Sequence, residues 1–107
     1  MTQQQLIDFA TKKYVRCVEI MKAKNHDYSY GEEALSNFKA VELFGVRTED
    51  GFLTRLMDKL KRISNLTRHT AAVLDEKIED TILDAINYLM LLLAYLEEKH
   101  DKQEDKK

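Results

Sequence analysis

The chain contains no proline and only three glycines in 107 residues, so almost nothing in it interrupts a helix from within. Proline removes a hydrogen bond from the helical ladder, and glycine costs about 1 kcal/mol per interior helical position. No segment alternates apolar and polar residues with a period of two, whereas apolar residues return repeatedly at i, i+3 and i+4. This pattern predicts an all-α domain, a single four-helix bundle.

The first helix is expected over about Gln3 to Lys24. Thr2 is placed to cap it, with Gln5 at capping-box spacing and Asn25 as its stop. Leu6, Phe9, Ala10, Cys17, Val18 and Met21 form its expected buried stripe. A polar and aromatic loop, Asn25 to Gly31, precedes a short helix over Leu35 to Phe44, where Phe38, Val41 and Phe44 set the apolar spacing and Gly45 the end. A third helix is expected from after Thr48 to about Arg68, with Phe52, Leu53, Leu56, Leu60 and Ile63 inward. The last should start at an Asp75 cap and run to about Lys99, its core stripe being Ile78, Ile82, Ala85, Ile86, Leu89, Leu93 and Leu96.

Lysine plus arginine total 17 against 19 acids, a net charge of −2. That balance argues against bulk electrostatic binding to duplex nucleic acid, which calls for a basic excess. Charged residues at 34 % beside hydrophobic residues at 44 % suit a folded chain rather than a disordered or membrane-spanning one. The longest apolar stretch, Tyr88 to Leu96, is shorter than the ~20 residues that cross a bilayer. The first residues carry no signal-peptide pattern, and the single cysteine, Cys17, reads as a small buried hydrophobe. The expected setting is the cytoplasm. Residues 1–97 are expected to form the helical domain and 98–107 a charged, frayed tail.

Two polar faces carry the candidate chemistry. On the last helix Glu76, Asp80, Asp84 and Asn87 stack turn upon turn. Carboxylates at i, i+4 repel on an isolated helix, and they point the same way, so they can share a divalent cation. The same line continues as Tyr88, Leu91 and Tyr95, which makes the C-terminal half apolar all round. A second copy of the chain is the simplest cover, giving a homo-oligomer built on paired C-terminal halves of this helix. On the third helix Arg55, Asp58, Arg62 and Asn65 share a side, with Lys59 between them. Basic residues so spaced can grip phosphate oxygens, arginine bidentately; equally, Asp58 can pair with Arg55 and Arg62 on a wet surface, contributing about 1 kcal/mol or less.

The run from Arg55 through Asp58, Lys59, Arg62 and Asn65, then Glu76 through Glu79, Asp80, Asp84, Asn87 and Tyr88, resembles the phage and bacterial nucleotide-modification-associated domain 1 family, as do Lys24 to Tyr28 and Asn37-Phe38 upstream. The resemblance covers about Lys24 to Leu96. More distantly, the last helix looks like the final metal-binding helix of MazG-type all-α nucleoside triphosphate pyrophosphatases, which hold magnesium between two acidic helices and assemble as dimers or tetramers. The resemblance implies Asp58, Asp80 and Asp84 as catalytic groups, with Glu76 and Glu79 joining them as magnesium ligands. It implies Asp27, Tyr28, Asn37, Phe38, Arg55, Lys59, Arg62, Asn65, Asn87 and Tyr88 as the nucleotide-binding set. The chain departs from the enzymes on its third helix, where Lys61 and Arg62 stand in place of a second acid.

Two functions follow. One is a magnesium-dependent nucleotide pyrophosphatase or related nucleotide-processing enzyme. The other is a non-catalytic sponge that sequesters a nucleotide-derived immune signal against host defence, with Tyr28, Tyr30 and Phe38 stacking on the base. A helical interaction subunit without a ligand is the third and plainest reading.

Overall fold

The computed structural model describes residues 1–25, 31, 33–69 and 76–105, with His69, Glu76, Lys77 and Asp105 described by backbone alone. Helix α1 spans Gln3–Ala23, α2 Ser36–Lys39, α3 Thr48–His69 and α4 Glu76–Asp105, with a 3-10 turn over Ala40–Phe44. There is no strand among the described residues. The all-α expectation holds, although three long helices carry the fold and the second is a single turn.

Local chemistry sets the ends. The Thr2 hydroxyl accepts from the Gln5 backbone N–H at 3.1 Å, and the Gln5 side chain accepts from the Thr2 N–H at 2.8 Å. This reciprocal cap satisfies two donors that the first turn leaves over. The 3-10 turn stops at Gly45, whose φ of 78° lies in the left-handed region that favours glycine. Thr48, fully buried, donates from its hydroxyl to Glu42 at 2.7 Å and ties that turn to the start of α3. Gly51 leaves room for Val41: a Cβ there would stand 3.2 Å from a Val41 methyl.

Helices α3 and α4 run antiparallel, held at one end by Lys99–Glu49 and towards the other by Lys59–Asp84. The core between them is aromatic. Phe38 and Phe52 stack at 4.5 Å, Tyr88 meets Phe38 edge-on at 6.1 Å, and Leu35, Leu91 and Tyr95 complete the cluster. Helix α1 runs in the same sense as α4 and packs on it around Cys17, where the buried Asn87 amide donates to the Cys17 carbonyl at 3.0 Å. Lys13 pairs with Glu79 and Lys24 with Asp84 on either side.

This packing reverses part of the predicted core. On α4 the buried residues are Ile78, Thr81, Leu83, Ala85, Asn87, Leu91 and Tyr95, while Leu89, Leu93 and Leu96 of the expected core stripe are exposed. On α1 only Cys17 is buried; Leu6, Phe9 and Val18 lie in the open. Leu53 and Leu60 of α3 are likewise exposed, and Phe44 is 86 % exposed. The reason is geometric: α1 meets its neighbour along a short stretch, and α4 has two apolar faces of which α3 and α2 cover only one. The predicted end at Lys99 is also passed. The helix continues to Asp105, and Glu98 and Lys99 are held by Lys39 and Glu49.

Candidate functional site

The polar centre of the molecule is Asp84. Its side chain is 16 % exposed, and its two oxygens accept from Lys24, the C-cap of α1, at 2.9 Å and Lys59 on α3 at 3.4 Å. One carboxylate thus ties together three helices through two ammonium groups. Charge-assisted bonds of this kind are roughly twice as strong as neutral ones.

A cavity opens on each side of this hub. Between α1 and α4 a space of about 360 Å³ is lined by Arg16, Ile20, Ala23, Lys24, Asp80 and Asp84. Between α3 and α4 a space of about 300 Å³ is lined by Arg55, Asp58, Lys59, Arg62 and Tyr88. Both volumes fall at the lower end of the range that accepts a small ligand. The second holds three cationic side chains against one acid, together with an aromatic ring.

These cations differ in their commitments. The Arg55 guanidinium lies 4.7 Å over the Phe38 ring, and Lys59 stands 5.9 Å from the Tyr88 centroid while holding Asp84. Among the described residues neither Arg62 nor Asp58 forms an ion pair, so the surface pairing of Asp58 with Arg55 and Arg62 does not occur. Arg62 lines the cavity with its planar donors unspent among the described residues, the condition for gripping a phosphate in two places.

The remaining predicted residues are distributed as follows. Asp80 is exposed beside Asp84 in the α1–α4 cavity, Glu79 is engaged by Lys13, and Asp58 lies across the hub in the other cavity. Among the described residues no three histidine, cysteine, aspartate or glutamate side chains gather as a metal cage. A cation at Asp84 would have to displace two ammonium groups. Phe38 is core, 2 % exposed, and its ring is stacked on Phe52 rather than open to a base; Asn87 is equally buried and pins α1 to α4. These two positions serve packing. Asn37 is half-buried on α2 and Asn65 exposed on α3. Asp27, Tyr28 and Tyr30, like the side chain of Glu76, lie outside the described residues.

No family model, curated protein or solved structure matches the chain.

The sequence pattern missed Lys24 and Arg16 as parts of the site. No local spacing could mark them, because Lys24 meets Asp84 across 60 positions of chain. Two other groups are set aside by their environment. Burial first, and the Asp84 carboxylate second, push the Cys17 thiol above its ordinary value of 9.0, so it stays protonated and unreactive. A further cavity of about 320 Å³ near the C-terminal end of α4 includes Lys39, Glu98, Lys99 and Lys102 in its lining. There Glu98 already accepts from Lys39 and Lys102, and Lys99 from its side is bound to Glu49, so the charges are spent on joining α4 to α2 and α3. No helix among the described residues is long and apolar enough to cross a membrane.

Proposed function

We propose that the chain binds a nucleotide or nucleotide-derived small molecule in the cavity between α3 and α4. Arg62 and Lys59 take the phosphate, Arg55 flanks it, and Tyr88 offers the base an aromatic surface. The observation that carries this reading is Arg62: an arginine lining a cavity with a lysine, a second arginine and a tyrosine, and free of any ion pair among the described residues. Asp84 supports it by holding Lys59 at the rim from behind. A phosphate that draws Lys59 forward leaves Asp84 still partnered by Lys24. Base stacking contributes about 1–3 kcal/mol where it forms. The resemblance to the nucleotide-modification-associated family points to the same ligand class.

Sequestration of the intact ligand suits this geometry, because two ammonium groups already neutralise Asp84. Magnesium-dependent processing is the second reading, favoured by Asp80 and Asp84 lining one cavity. In both readings the chain works as a homo-oligomer. Titration calorimetry with a panel of nucleotides and cyclic nucleotides, with and without magnesium, tests the proposal, with chromatography of the ligand afterwards. Recovery of intact ligand at fixed stoichiometry supports sequestration, turnover supports processing, and no heat across the panel refutes both.

A further inference from the structure

The α4 residues Ile82, Ile86, Leu89, Leu93 and Leu96 follow one another at alternating steps of four and three, the a/d spacing of a coiled-coil seam. The two ends of this seam differ. Ile82 and Ile86 are half-buried and line an apolar cavity of about 200 Å³ with Phe9 of α1. Leu89, Leu93 and Leu96 are bare at 52 %, 57 % and 42 % exposure, with Met90 beside them. Tyr88, Leu91 and Tyr95, the other apolar line of this half-helix, pack into the chain's own core.

The whole molecule shows the same deficit. A monomeric protein of 12.5 kDa exposes about 6,200 Å², whereas this chain exposes 8175 Å². Its radius of gyration is 16.4 Å, against about 13 Å for a compact domain of this length. The surplus of roughly 2,000 Å² exceeds the ~800 Å² that each partner gives to a stable interface.

We infer that a second copy of this chain covers the seam, α4 against α4, antiparallel about a two-fold axis near Leu89. This orientation sets Ile82 opposite Leu96 and brings the Phe9 shoulder of each copy beside the bare end of the other. A parallel pair would instead crowd the two shoulders together and leave both bare ends thinly covered. The inference rests on the self-association in the functional reading and is independent of its ligand.

Sedimentation equilibrium of the full chain at tens of micromolar tests it. The parent should run at twice the chain mass. Leu93→Glu should run at the chain mass with unchanged helical circular dichroism, because Leu93 is exposed within one copy. Phe44→Glu, at a side chain exposed further still but off the seam, should stay dimeric. Because Cys17 is buried, mild oxidation reports on an introduced thiol: Leu89→Cys should cross-link to itself. Leu96→Cys should not, its counterpart lying about 20 Å away at 1.5 Å per residue. A monomeric parent overturns both the seam and self-association. A dimer that survives Leu93→Glu, or dissociates with Phe44→Glu, overturns the seam alone. Failure of Leu89→Cys to cross-link also overturns it, whether or not Leu93→Glu folds, and a cross-linked Leu96→Cys overturns the antiparallel orientation.

Discussion

Replacing Asp84 by asparagine keeps the shape of the hub and removes the charge that two lysines share. Each lost contact is a hydrogen bond between charged groups, worth about 1.5–3 kcal/mol where it is well protected. Neither is fully protected: Lys24 is 40 % exposed and Lys59 24 %, although Asp84 itself is only 16 % exposed. Exposed pairs contribute about 0.2–1 kcal/mol, and breaking a buried one costs about 3–5 kcal/mol. The geometry falls between, and the amide oxygen still accepts one bond. The expected loss is therefore about 1.5 kcal/mol, a fall in Tm of roughly 6–12 °C for a domain of this size. Urea unfolding followed by circular dichroism, at matched protein concentration so that association does not enter, measures it. Lys59→Met and the double variant close the cycle and should show coupling of about 1 kcal/mol. The opposite sign would refute the reasoning. If Asp84 stands chiefly as a magnesium ligand relieved of its acidic neighbours, Asp84→Asn stabilises the metal-free protein, and added magnesium raises the Tm of the parent but not of the variant.

Arg62→Ala should leave the unfolding midpoint within about 0.5 kcal/mol of the parent and weaken nucleotide binding by about 2 kcal/mol, with Arg62→Lys recovering only part of the affinity. Unchanged calorimetric affinity in both would remove α3 from the site. Phe52→Ala, at a side chain 1 % exposed in the aromatic core, should cost about 3–5 kcal/mol in urea unfolding; a loss below about 1 kcal/mol would mean the stacked pair with Phe38 is not a core contact. Acid should act at the C-terminal end of α4. The hydrogen bond from Lys39 holds the Glu98 carboxyl below its ordinary value of 4.5, and that from Lys99 does the same for Glu49. Both folded values lie below the unfolded ones, so their stabilisation is complete above about pH 4.5 and is lost as pH falls through the depressed folded values. The loss should be shallower in Lys39→Met and Lys99→Met, and an acid dependence identical to the parent in both would sink the assignment.

The absence of proline, the Thr2–Gln5 capping box and Gly45 are local features, and they determined helix type and two of the element ends without reference to anything distant in the chain. The grouping of Arg55, Lys59 and Arg62 on one side of α3 is equally local, since a turn of helix places them whatever surrounds it. What each face meets is another matter. The sequence shows α4 to be apolar on two sides, and helical periodicity cannot say which one the chain itself will cover. Packing of Phe38 and Phe52 against Tyr88, Leu91 and Tyr95 decided that, and it left Leu89, Leu93 and Leu96 outside. Tertiary structure likewise turned Asn87 and Phe38 from expected ligand contacts into packing residues, and joined Asp84 to Lys24 and Lys59. The physical reason is the range of the forces involved. Caps and helical spacing act within a few residues, whereas the partners of a carboxylate and the burial of a leucine depend on side chains brought together from dozens of positions away.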